Sequence, residues 1–170
     1  MPAQPPDGGE PAGRNRDRDP AGRARNARPR DRLGRPLPRD AKADVERVPD
    51  RLDISPAEAV DLAQRYLDDG RPFHAHEVLE AMWKSRSSAE RDLWQGLAQV
   101  AVGLTHALRG NRAGALALVE RGTERLARHR GEAHGVDVGR VLAQADAIAA
   151  ALRADAAVGD ATVALQLRAP

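Results

Sequence analysis

The sequence of 170 residues contains no cysteine, which excludes a disulfide scaffold, a cysteine-ligated zinc site and a thiol nucleophile. Aromatic residues are also scarce, and the four present are Tyr66, Phe73, Trp83 and Trp94. No apolar run reaches the roughly 18 residues that indicate a membrane-spanning helix, so we expect no membrane insertion. The first 50 residues lack the apolar region of a signal peptide, and we therefore expect a cytoplasmic protein.

Charge is distributed unevenly along the chain. The net charge is only +2, yet residues 11–39 contain ten arginines and three acidic residues, with Leu33 and Leu37 as the only large apolar side chains. Such a segment buries too little apolar surface to offset an ordering entropy of about 1–2 kcal/mol per residue. We predict that residues 1–50 are a disordered Arg/Pro-rich tail. An arginine-rich tail can bind nucleic acid through phosphate contacts, but the interspersed acids and the lack of aromatic residues argue against it.

Residues 51–170 are rich in alanine and leucine and have helical periodicity. Two Ser-x-x-Glu capping boxes, beginning at Ser55 and Ser87, predict the starts of the first and third helices. Gly70 and Gly110 predict helix ends, and Asn111 predicts the cap of the fourth helix. The predicted fold is all-α, a compact bundle of about five mostly antiparallel helices. The predicted segments are helices at about 56–69, 72–84, 88–109, 112–128 and 138–153, followed by an extended tail at 161–167 that packs on the bundle.

The most unusual stretch lies in the second predicted helix. Helical periodicity places His76 and Glu80 one turn apart, next to Trp83 and beside the core face rather than opposite it. Phe73 and Glu77 extend the same side of the helix. Two carboxylates and an imidazole therefore flank an indole where a neighbouring helix or a ligand can contact them.

A second polar stripe lies on the third predicted helix and contains Gln95, Gln99 and His106. Gly96 and Gly103 form a small-residue groove beside it, which would let another helix approach closely. An unpaired buried polar group costs about 1–3 kcal/mol, so these side chains need partners. The simplest arrangement has His76 and Glu80 facing this stripe across the helix pair.

Three interpretations of these residues remain open: a structural polar network, a ligand or partner pocket with an aromatic floor, and a metal or acid/base site. The stretch reads H-E-x-x-E and lacks the second histidine of the H-E-x-x-H zinc motif. No nucleophile elbow and no phosphate-binding glycine loop is present in the sequence. We expect His74 to be exposed, His129 and His134 to lie at the surface, and Trp94 to pack in the core.

The combined motifs resemble a bacterial and chloroplast family, domain of unknown function 309. The resemblance rests on residues 70–80 with Trp83, on residues 94–99 with His106, and on residues 110–116, and it covers about 57–126. It implies a compact all-α domain and no assigned reaction. The family pattern A-H-E-x-x-E-x-x-W falls on residues 75–83, and its following Gln and His fall on Gln95 and His106.

We therefore expect an uncharacterised helical binding or interaction module at residues 51–170 that binds a small ligand or a protein partner. The alternatives are a metal-dependent or acid/base hydrolase at the same cluster, and nucleic-acid association through the tail. The sequence assigns no cofactor and no metal ligand, and it leaves open whether the protein is an enzyme. The predicted site residues are Phe73, His76, Glu77, Glu80, Trp83, Gln95, Gln99 and His106.

Overall fold

The computed structural model describes residues 28–38, 40–41, 48–49, 51–131, 133–155 and 164–169. Within these ranges the chain forms five α-helices, each packed against the next along the chain, and the predicted all-α bundle is confirmed. None of the helices found there is both long enough and apolar enough to cross a membrane. The elements are α1 (Pro56–Asp68), α2 (Pro72–Ser85), a 3-10 turn (Ser88–Glu90), α3 (Arg91–Leu108), α4 (Arg112–Arg128) and α5 (Val138–Arg153).

The ends of α1 and the start of α4 follow the predicted capping. Ser55 Oγ accepts a hydrogen bond from Glu58 N at 3.3 Å, and the Glu58 carboxylate accepts one from Ser55 N at 2.7 Å. Gly70 follows α1 with a φ of +68°, the left-handed conformation that ends many helices. Asn111 Oδ1 accepts a hydrogen bond from Gly114 N at 3.0 Å. Local sequence signals therefore determine these helix ends.

The start of α3 differs from the predicted capping box. Ser87 makes no side-chain capping hydrogen bond, and a 3-10 turn precedes the α-helix, which begins at Arg91. The Glu90 carboxylate, which a capping box would direct to the Ser87 main chain, is instead paired with Trp94 and His134. The capping prediction was wrong here because the same carboxylate bonds Trp94, one turn later on α3, and His134, in the turn after α4.

The contact between α3 and α4 depends on glycine. A Cβ on Gly122 would lie 2.9 Å from the Gly96 carbonyl oxygen and 2.7 Å from Val100 Cγ2. A Cβ on Gly103 would lie 2.8 Å from Val119 Cγ2. Since protein interiors are close-packed, these helices can approach this closely only where side chains are missing. The predicted small-residue groove of α3 is confirmed, and the helix that occupies it is α4.

A C-terminal extended segment, residues 164–169, packs between α1 and α5, with Leu165 and Leu167 fully buried. Gln64 on α1 donates to the Leu165 carbonyl oxygen at 3.1 Å and accepts from Leu167 N at 2.7 Å. Gln144 on α5 donates to the Gln166 carbonyl oxygen at 3.0 Å and accepts from Gln166 N at 2.9 Å. Each glutamine pairs with the segment as the main chain of a neighbouring strand would. The predicted extended tail is confirmed for 164–167, whereas 161–163 lie outside the described ranges.

Part of the stretch assigned to the tail packs on the helices. Residues 28–38, which we call the N-terminal turn, reverse direction between Arg30 and Pro36, and these two residues form an isolated β-bridge. Leu33 is only 9% exposed, and Arg109 on α3 donates a hydrogen bond to its carbonyl oxygen. Residues 1–27, 39, 42–47 and 50 lie outside the described ranges, and the disordered tail stays a prediction for them.

Candidate functional site

The predicted site residues of α2 share one side of the helix, beside its core face. All five are half-buried, and Trp83 packs against the core. Side-chain exposure is 20% for His76 and 32% for Glu80, so each side chain is partly buried and partly accessible to a binding partner. The three predicted residues on α3 are half-buried as well. We call the whole set the α2–α3 surface: Phe73, His76, Glu77, Glu80, Trp83, Gln95, Gln99 and His106.

His76 and Glu80 lie one helical turn apart but are not hydrogen-bonded. His76 Nε2 is 3.9 Å from Glu80 Oε2, which is too long for a hydrogen bond. Glu80 Oε1 lies 3.1 Å from the ammonium group of Lys84, so this carboxylate is paired with a cation. Burial lowers the pKa of His76 and outweighs the opposing attraction of Glu80. At neutral pH, His76 is therefore a neutral imidazole with one donor and one acceptor nitrogen.

Two polar atoms of the α2–α3 surface, His76 Nδ1 and Gln99 Oε1, are buried without a hydrogen bond of normal geometry in the described part of the chain, and the His76 ring has only a weak interaction with the main chain of Phe73. A buried polar atom without a hydrogen bond costs about 1–3 kcal/mol, so most such atoms in folded proteins are satisfied by protein, water or a ligand. These two atoms give the surface an unused capacity to bind a polar group.

The polar residues of α3 are not joined to those of α2 by hydrogen bonds. His106 Nδ1 lies 2.9 Å from Asn111 Nδ2, in the turn between α3 and α4. Across the ranges that the structure describes, no hydrogen bond links His76 or Glu80 to any of the three α3 residues. The structure therefore brings the eight residues onto one pair of helices without forming the expected network, and His106 supports the residue that caps α4.

Phe73, at the start of α2, is covered by the N-terminal turn. Gly34 lies so close to the ring that a Cβ there would overlap with the ring atoms. The guanidinium carbons of Arg30 and Arg109 lie 5.0 Å and 5.9 Å from the ring centroid, within cation–π range. The Phe73 and His76 rings are 5.8 Å apart, so the turn lies at one end of the α2–α3 surface. The sequence predictions included neither Arg109 nor the turn. The available signal for the turn was a Leu-Gly pair within an arginine-rich stretch.

His74, predicted to be exposed, is only 2% exposed, so that prediction was wrong. Its ring lies 5.4 Å from the Tyr66 ring on α1 and 5.9 Å from the Phe73 ring. Burial lowers the pKa of His74, and the nearby Arg71 lowers it further. The error arose because α2 is covered on two sides: α3 packs on its core face, and α1 packs on the face that carries His74.

A second cluster joins the start of α3 to the turn after α4. The His134 side chain, predicted at the surface, is 12% exposed and stacks on Trp94 with ring centroids 5.7 Å apart. Trp94 is fully buried, as predicted, and its Nε1 donates to Glu90 Oε2 at 2.9 Å. His134 Nε2 lies 3.0 Å from the same oxygen. The hydrogen bond from Trp94 lowers the pKa of Glu90, and His134 adds to this effect.

Among the described residues, neither a metal-ligand cluster nor the cleft beside the N-terminal turn coincides with the predicted site. Among the described residues, no three His, Asp or Glu side chains are placed to hold a metal ion together. A cleft of about 410 Å³ lies where the N-terminal turn, the α1–α2 connection and the end of α3 meet, with Arg32, Asp69 and Leu108 in its lining. No predicted site residue lines this cleft, and the predicted site residues are half-buried elsewhere on α2 and α3.

Residues 60–118 match the family model described as Domain of unknown function (DUF309). The match confirms the resemblance indicated by the motifs, and it covers 59 of the 170 residues. It includes most of α1, all of α2 and α3, the start of α4, and every residue of the α2–α3 surface. The family has no assigned reaction, as its description states. No curated protein and no solved structure matches the chain.

Proposed function

We propose that the chain is a polypeptide-binding module and that the α2–α3 surface is its binding surface. The observation that carries this proposal is the pair of buried polar atoms without a hydrogen bond of normal geometry, His76 Nδ1 and Gln99 Oε1, on a surface that also contains the half-buried ring of Trp83. Half-buried aromatic side chains supply apolar contact area, and unpaired polar atoms supply hydrogen bonds. Both features are common where proteins bind other proteins.

A polypeptide partner fits these residues better than a small ligand or a hydrolysed substrate. The residues are half-buried along two helices and do not line the 410 Å³ cleft, which is the kind of cavity that encloses small molecules. A hydrolase needs a general base that is free to take a proton from its substrate, whereas the Glu80 carboxylate is already paired with a cation. His76 and Glu80 are 3.9 Å apart, and Glu80 is paired with Lys84. We place the proposed binding in the cytoplasm, which cell fractionation of the tagged chain can test.

Site-specific photo-crosslinking in the native host tests the proposal. Lys84, exposed beside Glu80, is replaced by the photo-crosslinking residue p-benzoylphenylalanine. Glu124, exposed on α4, is replaced in the same way as the matched control. We expect irradiation to give a discrete heavier adduct from position 84 and none from position 124.

A second variant shows whether the adduct depends on the surface itself. Adding His76→Ala to the position-84 variant should reduce adduct yield at least about tenfold, because the imidazole that would bind the partner is removed. Circular dichroism checks that helix content is unchanged. No adduct from position 84, or equal adducts from positions 84 and 124, would contradict the proposal.

A further inference from the structure

The N-terminal turn has a well-defined internal structure. Asp31 Oδ1 accepts hydrogen bonds from Leu33 N at 2.9 Å and from Arg35 N at 2.7 Å. Gly34 N donates to the Asp31 carbonyl oxygen at 2.8 Å, and Gly34 adopts a φ of +74°, which glycine tolerates better than other residues. An aspartate that bonds the main chain two residues later is a common way to stabilise a tight turn. The turn therefore presents its Leu-Gly tip in one fixed conformation.

The tip is placed against two residues of the helical domain, Phe73 and Arg109, which we call the Phe73–Arg109 site. Gly34 lies against the Phe73 ring, and Arg109 Nη2 donates to the carbonyl oxygen of Leu33. Arg30 places its guanidinium group 5.0 Å from the centroid of the same ring. Leu33 is 9% exposed, so the tip is removed from solvent.

These contacts select a particular kind of polypeptide. A side chain at position 34 would overlap with the Phe73 ring and would also have to adopt a left-handed backbone conformation. Arg109 bonds to a main-chain carbonyl oxygen, which any residue provides when the turn has the right shape. The site therefore favours a polypeptide that has a glycine at this position and the same backbone conformation around it. The polypeptide also supplies a cationic side chain that lies over the Phe73 ring.

We propose that the Phe73–Arg109 site recognises a glycine turn of the form Arg-x-x-apolar-Gly, and that a partner polypeptide with such a turn binds there by displacing residues 28–38. This rests on the proposed function, because Phe73 forms one end of the α2–α3 surface. The chain's own turn shows which chemistry the site accepts. The described contacts of its tip are the buried Leu33, Gly34 against the Phe73 ring and the hydrogen bond from Arg109, and a competing turn of the same form can replace each of them.

Fluorescence anisotropy with a labelled peptide of residues 28–38 tests this on the full chain. Gly34→Ala releases the chain's own turn, because the added Cβ overlaps with Phe73. The matched control is Gly110→Ala, which has a similar φ of +78° but nothing within 4 Å of the added Cβ. In the wild type and in Gly110→Ala, the chain's own turn competes with the labelled peptide at an effective concentration of about 1 mM, because the turn is tethered to the site. We therefore expect the peptide to bind Gly34→Ala at least about tenfold more tightly than the wild type or Gly110→Ala.

Two further measurements complete the test. The peptide should show no saturable binding to Gly34→Ala/Phe73→Ala, and a peptide carrying Gly34→Ala should not bind Gly34→Ala either. Hydrogen exchange at residues 31–37 should be faster in Gly34→Ala than in the wild type and Gly110→Ala. The proposal is overturned if hydrogen exchange at residues 31–37 is unchanged in Gly34→Ala. It is also overturned if exchange is faster but the peptide does not bind, or if the peptide binds equally well after Phe73→Ala.

The outcomes also separate this proposal from the proposed function. Peptide binding that needs Phe73, combined with no crosslinking from position 84, supports the Phe73–Arg109 site and contradicts the wider binding surface. Crosslinking from position 84 without peptide binding supports the surface and overturns the glycine-turn proposal.

Discussion

His134 stacks on Trp94, and the polar nitrogens of both rings contact one carboxylate oxygen, Glu90 Oε2. His134 also has a φ of +51°, a left-handed conformation that is uncommon for residues other than glycine. A non-glycine residue keeps such a conformation only when its surroundings compensate for the strain. The stacking and the shared carboxylate provide that compensation, and they join the turn after α4 to the start of α3.

Removing this carboxylate should destabilise the fold. In Glu90→Ala the Nε1 group of Trp94 loses its acceptor, and an unsatisfied buried donor costs about 1–3 kcal/mol. Urea unfolding should show this loss relative to the wild type. The matched variant Glu124→Ala, at an exposed position of α4, should change stability by no more than about 0.5 kcal/mol. Equal stability of the two variants would contradict a structural role for Glu90.

The glycines between α3 and α4 should not tolerate a methyl group. Alanine at Gly122 would contact the Gly96 carbonyl oxygen, and we expect Gly122→Ala to destabilise the fold by about 1–3 kcal/mol despite the better helix propensity of alanine. Gly139→Ala on α5 is the control, since its Cβ would contact only Asp137 Oδ1, at 3.6 Å. Thermal unfolding should give a lower Tm for Gly122→Ala and an equal or higher Tm for Gly139→Ala. The reverse order would show that α3 and α4 are not closely packed.

The stability of the fold should fall as the pH falls below about 6.5. Burial lowers the pKa of His74 in the folded chain, whereas the unfolded chain titrates near the ordinary histidine value of about 6.5. Below that pH the unfolded state binds more protons, so the free energy of unfolding decreases by at most about 1.4 kcal/mol per pH unit for this group. Burial lowers the pKa of His76 as well, so it adds to the decrease.

Urea unfolding at pH 7.5, 6.5 and 5.5 measures this dependence. His74→Phe removes the titrating group and keeps a ring beside Tyr66, so its stability should fall less steeply with acidification. A wild-type chain that becomes more stable on acidification, or a slope unchanged by His74→Phe, would contradict the burial of a neutral His74.

The C-terminal extended segment should detach when its glutamine partners are removed. Gln144→Ala leaves the main-chain groups of Gln166 without their side-chain partner on α5. We expect amide exchange at residues 165–167 to become at least about tenfold faster, which corresponds to about 1.4 kcal/mol of lost local stability. Gln95→Ala, on the α2–α3 surface, should leave exchange in this segment unchanged. Equal protection in both variants would show that Gln144 does not hold the segment.

Much of the helical framework could be predicted from sequence because its signals are local. Asn111 caps α4 through an amide three residues ahead, and Gly70 ends α1 through its own backbone conformation. The bounds of α4 and α5 follow from periodicity and from such local signals. The α3 groove was predictable for a related reason, since small residues at helical spacing imply a close neighbour, although not which neighbour.

The remaining features depend on residues distant in sequence. Glu90 contacts His134, which lies 44 residues later, so the sequence pattern at Ser87 alone suggested a capping box. His74 is buried because α1 packs over it. Arg109 contacts Leu33, 76 residues earlier, in a stretch whose composition indicates disorder. The sequence therefore marked the residues of the α2–α3 surface, but which of them have partners depends on tertiary packing.

The contact between Gly34 and Phe73 can be measured on the full chain by nuclear magnetic resonance. The glycine-turn proposal requires a polypeptide turn to lie on the Phe73 end of the α2–α3 surface. We predict nuclear Overhauser cross-peaks between the Gly34 α protons and the Phe73 ring protons, with the α protons shifted upfield by the ring. Gly34 α protons at random-coil shifts, without cross-peaks to Phe73, would contradict the docking of the N-terminal turn.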